Sequence, residues 1–145
     1  MHPRYEQANA LSRDVADAVA EVLRLLGMGL LESVYERCLA RELRLRGHTV
    51  TTEKEVLIRY KGETFRQALR ADLLVDDCLV IELKSIEAPI RLEHRMQVLS
   101  YLRLLDYPLG LLINFGAVDG KRIHRVILKG ADARGVGAAV SEANG

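Results

Sequence analysis

The sequence contains few cysteines. Only Cys38 and Cys78 occur among 145 residues, and they are far apart with no C-x-x-C spacing. This usage is typical of small buried hydrophobic residues in a reducing compartment, not of a disulfide framework. The four histidines, at positions 2, 48, 94 and 124, are too scattered along the chain to predict a zinc site.

Long hydrophobic runs are also missing. No apolar stretch approaches the ~20 residues that a membrane-spanning helix requires. The first 22 residues carry acidic side chains, among them Glu6, Asp14 and Asp17, and have no uninterrupted apolar segment, so we do not expect a signal peptide. We therefore expect a cytoplasmic protein without a membrane partner.

The chain lacks a strong excess of either charge. It has 21 Lys and Arg against 20 Asp and Glu, for a formal net charge of +1. This balance argues against a tight nonspecific nucleic-acid binder. It does not exclude nucleic acid, because basic residues still cluster locally, at Arg66 and Arg70, at Arg91 and Arg95, and between Lys121 and Lys129.

Hydrophobic periodicity divides the chain into three helices and five strands. Spacings of three and four residues predict helices over residues 5–26, 30–46 and 92–105. Segments rich in β-branched residues predict strands over residues 49–60, 67–75, 79–85, 109–115 and 123–128. We expect helix 92–105 to be well buried, since its apolar residues lie on more than one side. Residues 1–129 should form one domain, and residues 130–145 a flexible or weakly helical tail.

The order of these elements indicates the fold class. A strand–helix–strand step follows three consecutive strands, and two helices come before them. Such an order predicts an α/β protein with a mixed β-sheet flanked by helices.

Charged residues interrupt the most strand-like segment, VIELKS at residues 80–85. If the preceding hairpin has the three-residue loop 76–78, Asp72 lies opposite Glu82, and Lys84 shares their face of the sheet. A two-residue loop would instead send Glu82 to the other face. The prediction that Asp72, Glu82 and Lys84 come together therefore depends on a loop of three residues.

Two neighbouring carboxylates repel each other unless a cation lies between them. Oxygen ligands at a partly solvated site favour Mg²⁺ or Mn²⁺, and a nearby lysine can orient water or offset charge on a phosphate. Asp72, Glu82 and Lys84 are thus suited to metal-assisted phosphodiester hydrolysis. The structural alternative is an internal ion pair in which Lys84 bridges the two carboxylates.

Three motifs in this order resemble the PD-(D/E)XK nuclease superfamily over about residues 10–128. Asp72 matches the first acidic motif, with Ala71 in place of the usual proline, and Glu82 and Lys84 match (D/E)XK. The Q-x-x-x-Y spacing of Gln97 and Tyr101 resembles the accessory motif of the RecB-like branch. The segment GLLESVY, residues 29–35, resembles the signature of the GxxExxY family within the superfamily.

The resemblance implies a restriction-endonuclease-like core and a metal-dependent nuclease that acts on DNA, with RNA as the less favoured substrate. Asp72, Glu82, Glu32 and the Leu83 carbonyl would bind Mg²⁺ or Mn²⁺, and Lys84 would position or activate water. Gln97 and Tyr101 would orient substrate or water. For Glu32 the alternative is an exposed helix residue near Arg37, and for Tyr35, which shares the GxxExxY signature, it is core packing.

Two other interpretations of function remain open from the sequence. The first is a noncatalytic nucleic-acid-binding or regulatory module on a nuclease fold, because fold does not determine function. The second is a homodimer that works only as an assembly, with the apolar first helix as its interface.

Overall fold

The computed structural model describes residues 1–129 and 140–141. These described residues form three helices and six strands. In chain order they are α1 (Tyr5–Leu26), α2 (Glu32–Leu45), β1 (Val50–Tyr60), β2 (Glu63–Val75), β3 (Leu79–Lys84), α3 (Leu92–Leu105), β4 (Leu109–Asn114), β5 (Ile123–Ile127) and β6 (Val140–Ser141).

The strands form one mixed sheet in the order β5-β4-β3-β2-β1-β6. Strands β3 and β4 are parallel and are connected through α3, whereas every other neighbouring pair is antiparallel. The predicted mixed sheet flanked by helices is therefore confirmed. Of the tail expected over residues 130–145, only β6 belongs to the described residues; the rest of that prediction lies outside them.

The sheet separates two hydrophobic layers. Leu79, Ile81 and Leu83 of β3 pack with α1 and α2, and Val80 packs on the opposite face with α3. This alternation follows from the two-residue period of a strand. Strand β3 is thus covered on both faces, and its polar residues lie at its end.

The apolar stripe of helix α1 is buried within the chain. Leu11, Val15, Val19 and Val22 are all buried against α2 and the sheet. The expectation that this stripe forms a homodimer interface is therefore wrong, because burial within the chain already removes it from water.

Helix α3 is less buried than its sequence indicates. Only Val98, Leu102 and Leu105 are buried, whereas Leu92 and Met96 are exposed. The expectation of a helix buried on several sides is wrong here, because the sheet covers one side of α3 only.

Strand β2 begins earlier than the sequence indicates, at Glu63. The turn between β1 and β2 consists of Lys61 and Gly62, both with positive φ, and Tyr60 pairs directly with Glu63. This two-residue turn matches the twist of a hairpin. It lets residues 63–66, three of which are polar, continue the ladder.

Within the described residues, no helix is both long and apolar enough to cross a membrane.

Candidate active site

The hairpin of β2 and β3 has the register that the sequence argument requires. Val75 pairs with Leu79, and Leu73 pairs with Ile81, so the loop consists of residues 76–78. The next residues along the two strands are Asp72 and Glu82. The predicted three-residue loop is confirmed, and it brings these two carboxylates side by side.

The regular ladder between β2 and β3 ends at this point, and side chains replace its hydrogen bonds. The Leu83 N–H donates to Asp72 Oδ2 at 2.7 Å, and the Asp72 N–H donates to Glu82 Oε1 at 3.1 Å. Strand β3 continues its pairing with β4 up to Lys84. The strands β2 and β3 therefore separate beyond Leu73, and the two carboxylates occupy the start of the gap.

A bulge in β2 contributes to this separation. Thr51 of β1 pairs with Leu74, but Glu53 pairs with Arg70, so β2 has two extra residues around Asp72. A bulge bends its strand and re-aims the side chains within it. Asp72 is thereby released from regular pairing with both neighbouring strands.

Glu82 is the most perturbed carboxyl group of the site. Its side chain is buried, with only 7% of the residue exposed, and its pKa is raised to about 8. Burial is the largest cause of this rise and the charge of Asp72 is the next, whereas Lys84 acts to lower the pKa. Because both carboxyl groups cannot easily be charged together, Glu82 is largely protonated at neutral pH when no cation is present.

Lys84 is half-buried at the end of β3, next to this pair. Within the part of the chain that the structure describes, its ammonium forms no ion pair with either carboxylate. The internal ion pair that the sequence left open is therefore absent. Lys84 acts on Glu82 only through its charge, and its ammonium is available to a ligand.

Helix α2 places two further acids near the gap. Burial raises the pKa of half-buried Glu32, and the nearby charge of Asp72 raises it further, while Lys84 lowers it. Glu36, one turn later, responds in the same way to burial, Asp72 and Glu32. Glu32 is thus half-buried, and the alternative of an exposed helix residue near Arg37 does not hold. Sequence reasoning missed Glu36, although its i+4 spacing from Glu32 is a usable signal.

Helix α3 closes the other side of the site. Gln97 Nε2 donates to the Tyr101 hydroxyl at 3.3 Å, as their i, i+4 spacing allows. Burial raises the pKa of Tyr101, and so does the charge of Glu82. Tyr101 therefore lies near Glu82, and exposed Gln97 extends from it toward solvent. His94 has a different role, since its Nδ1 accepts the Arg91 N–H at the start of α3.

Tyr35 fixes the loop that leads into α2. Its ring is fully buried and stacks on Phe115 with centroids 4.3 Å apart. Its hydroxyl donates to the Gly27 carbonyl at 2.6 Å and accepts the Leu30 N–H at 3.2 Å. The ring of Tyr35 therefore packs in the core, as the alternative for this residue predicts. In addition, its hydroxyl holds the loop before Glu32 in place.

The donor set fits Mg²⁺ or Mn²⁺ held mainly by two carboxylates. Hard oxygen ligands are present at Asp72 and Glu82, and a cation would remove the repulsion that keeps Glu82 protonated. The Leu83 carbonyl faces the same gap as its N–H, because both groups of a strand residue point to one edge. Residues 1–129 and 140–141 contain no three His, Cys, Asp or Glu side chains grouped closely enough to enclose a metal ion. An ion such as Mg²⁺, when bound through one or two carboxylates, usually keeps several waters.

Comparison with known proteins agrees with this geometry. A family model for the PD-(D/E)XK nuclease superfamily matches residues 9–126. The crystal structure of SSO0001 is similar in fold, with a TM-score of 0.55 and 20% identity over 92% of this chain and 67% of that chain. No curated protein sequence matches. The mixed sheet with flanking helices is thus of the restriction-endonuclease-like type, and the chain belongs to the PD-(D/E)XK nuclease superfamily.

Proposed function

We propose that this chain is a metal-dependent nuclease that hydrolyses phosphodiester bonds in DNA, with RNA as the less favoured substrate. One observation carries the proposal: Asp72 and Glu82 meet where β2 and β3 separate, beside a lysine that forms no ion pair among the described residues. Paired carboxylates without a cation are costly to maintain in a fold. A site that keeps them is suited to binding a divalent metal.

In this proposal Asp72 and Glu82 hold Mg²⁺ or Mn²⁺, with the Leu83 carbonyl as a further ligand. Glu32 approaches from α2, either as a ligand or through water. A divalent ion supplies Lewis-acid stabilisation of phosphate charge and lowers the pKa of water. The protein contributes the placement of these ligands, which the hairpin register and the bulge determine.

Lys84 positions or activates the attacking water and offsets charge that develops on the phosphate. Its half-buried ammonium lies close enough to lower the pKa of Glu82 and of Glu32. Tyr101 and Gln97 form a hydrogen-bonded pair on the opposite side. They orient substrate or water at the rim of the site.

The assignment to a family and a branch within the superfamily rests on the motifs that surround this site. Gly29, Glu32 and Tyr35 support membership in the GxxExxY family, and the Gln97–Tyr101 pair supports the RecB-like branch. A homodimer remains part of the proposal, but through a surface other than the stripe of α1. A cytoplasmic location rests on the two free cysteine thiols.

The direct test is cleavage of single-stranded DNA, double-stranded DNA and RNA with Mg²⁺ or Mn²⁺. We would compare the wild type with Asp72→Asn and Lys84→Ala, and use Asp17→Asn as the matched control on the exposed face of α1. We expect both site variants to lose at least about 100-fold in rate, because general acid–base and electrostatic groups each contribute on that order. Circular dichroism and thermal melting would show that the fold is retained.

Two results would reject this function. Equal cleavage by wild type and Asp72→Asn would show that the activity comes from elsewhere. Binding of DNA or RNA without cleavage, in folded protein that also binds Mn²⁺, would support the alternative of a noncatalytic nucleic-acid-binding or regulatory module.

A further inference from the structure

A groove lies beside the carboxylates, and of the residues given a metal-binding or catalytic role above only Glu32 lines it. It is formed by the α1–α2 loop, the segment after β3 and the β4–β5 loop, and it encloses about 620 Å³. That volume is within the usual range of small-ligand sites. Glu32 and Ser85 line the groove, so it opens directly next to the candidate active site.

Part of the groove wall consists of exposed apolar side chains. Met28 is 47% exposed, Leu31 is 75% exposed, and Val118 on the facing loop is 72% exposed. Apolar side chains that cluster at the surface around a concave site indicate a binding surface. A flat aromatic or heteroaromatic ring is the kind of group that such facing walls can hold.

One wall is held in place by side-chain hydrogen bonds. The Tyr35 hydroxyl bridges Gly27 and Leu30, and Ser85 Oγ donates to the Leu30 carbonyl at 2.8 Å. Ser85 directly follows Lys84 in the chain. The α1–α2 loop is therefore attached to the end of the strand that carries the candidate catalytic lysine, and the groove exists before any ligand binds.

The facing side is held by Asn114, which is buried. Its Oδ1 accepts the N–H groups of Ile86 and Gly116, each at 3.0 Å, and its Nδ2 donates to the Ile86 carbonyl at 2.9 Å. The backbones pack so closely that a Cβ at Gly116 would lie 2.7 Å from the Ile86 nitrogen. Both sides of the groove are thus rigid, which lowers the entropic cost of binding.

The charge of the groove indicates what it can bind. Its charged lining residues are Glu32 and Glu87, and none of the described residues that line it is Lys, Arg or His. Carboxylates only accept hydrogen bonds and repel phosphate. The part of a ligand that lies inside the groove should therefore be flat, uncharged and rich in N–H donors. Guanine matches best, because its N1–H and 2-amino groups lie side by side and can both donate to one carboxylate.

We propose that this groove, between Leu31 and Val118, binds an unpaired nucleobase of the substrate strand next to the phosphate that is cleaved, with guanine preferred. The proposal rests on the proposed function for its location, since Lys84 and Ser85 are consecutive. Glu87 reads the N–H edge of the base, and the apolar walls cover its faces. Cleavage would then favour single-stranded or locally opened sites with guanine beside the scissile bond.

The test is a titration of metal-free protein with guanosine monophosphate and, separately, with inosine monophosphate. Binding is monitored through the amide chemical shifts of the protein. These probes differ only by the 2-amino group. We expect both probes to shift the amide signals of Leu31, Glu87 and Val118. Guanosine monophosphate should bind about fivefold more tightly, because inosine monophosphate lacks one charge-assisted hydrogen bond at this partly solvated site. Glu87→Gln should remove most of this preference.

Leu31→Ser tests the apolar wall, and Leu45→Ser is its matched control, since Leu45 is 63% exposed and lies outside the groove. Of these two variants, only Leu31→Ser should weaken the binding of both probes. Equal binding of the two probes, or shifts elsewhere in the protein, would overturn the proposal. So would a change of oligomeric state in Leu31→Ser by light scattering, because the groove would then be an interface between copies.

Failure of the groove and failure of the nuclease proposal are distinguishable. Cleavage of DNA without any shift in the groove would overturn the groove alone. Guanosine monophosphate in the groove, together with no cleavage of DNA or RNA, would support the base site and reject the nuclease.

Discussion

Replacement of Glu82 by glutamine should stabilise the metal-free protein at alkaline pH. The glutamine has nearly the same shape and keeps an oxygen for the Asp72 N–H, but it cannot acquire the buried charge. For the wild type, the folded state keeps a proton on Glu82 between the unfolded pKa of 4.5 and the folded pKa of about 8. Its stability must therefore fall as pH rises through that window.

The pKa shift sets an upper limit on the effect. At 1.36 kcal/mol per pKa unit, a rise from 4.5 to about 8 corresponds to about 5 kcal/mol. Relaxation and water entry reduce such penalties, so we expect Glu82→Gln to gain about 2–4 kcal/mol over wild type at pH 9. This gain corresponds to a Tm higher by roughly 5–15 °C for a chain of this size. At pH 5 the two proteins should be nearly equal.

Urea unfolding at pH 5, 7 and 9 with a chelator would measure the effect, with Glu63→Gln in the exposed β1–β2 hairpin as control. The difference between variant and wild type removes the contribution of other titrating groups. Added Mg²⁺ or Mn²⁺ should restore stability to the wild type and less to Glu82→Gln. A pH dependence that is the same in both proteins would refute the reasoning, because Glu82 would then not be the group that titrates.

Three further predictions concern other parts of the molecule. His48 donates to Asp14 and Asp76; burial lowers its pKa, but these hydrogen bonds raise it above its ordinary value. His48→Gln should therefore cost about 1 kcal/mol below pH 6.5 and progressively less above it, as urea unfolding against pH would show. Tyr35→Phe should cost about 1–2 kcal/mol and speed hydrogen exchange of the Leu30 amide, unlike Tyr60→Phe on the exposed hairpin. Glu32→Gln should weaken Mn²⁺ binding about tenfold by calorimetry, and unchanged affinity would remove it from the metal site.

Local patterns predicted most of the fold. The spacing of apolar residues placed α1 and α3 at the observed bounds, and the loop 76–78 gave the register of β2 and β3. These features depend on neighbours in the sequence, so a period and a turn are enough to infer them. The meeting of Asp72 and Glu82 could be predicted for the same reason.

Features that depend on tertiary packing could not be predicted. The bulge at Asp72 arises from how β1 and β2 share the sheet, and no local pattern indicates two extra residues there. The burial of Glu82 and the missing ion pair of Lys84 depend on α3 and on the strand ends. Likewise, the Tyr35 hydroxyl bonds residues 27 and 30 only because Phe115, far away in sequence, supplies the surface on which its ring stacks.

The hairpin that joins Asp72 and Glu82 also bears on how fast the protein folds. Its ends are only ten residues apart, so it can close within microseconds, long before the crossover through α3 aligns β3 with β4. Repulsion between the carboxylates must then be overcome at an early strand pairing rather than at the last step. If that hairpin forms in the transition state, mild acid and divalent cations should accelerate refolding and leave unfolding almost unchanged.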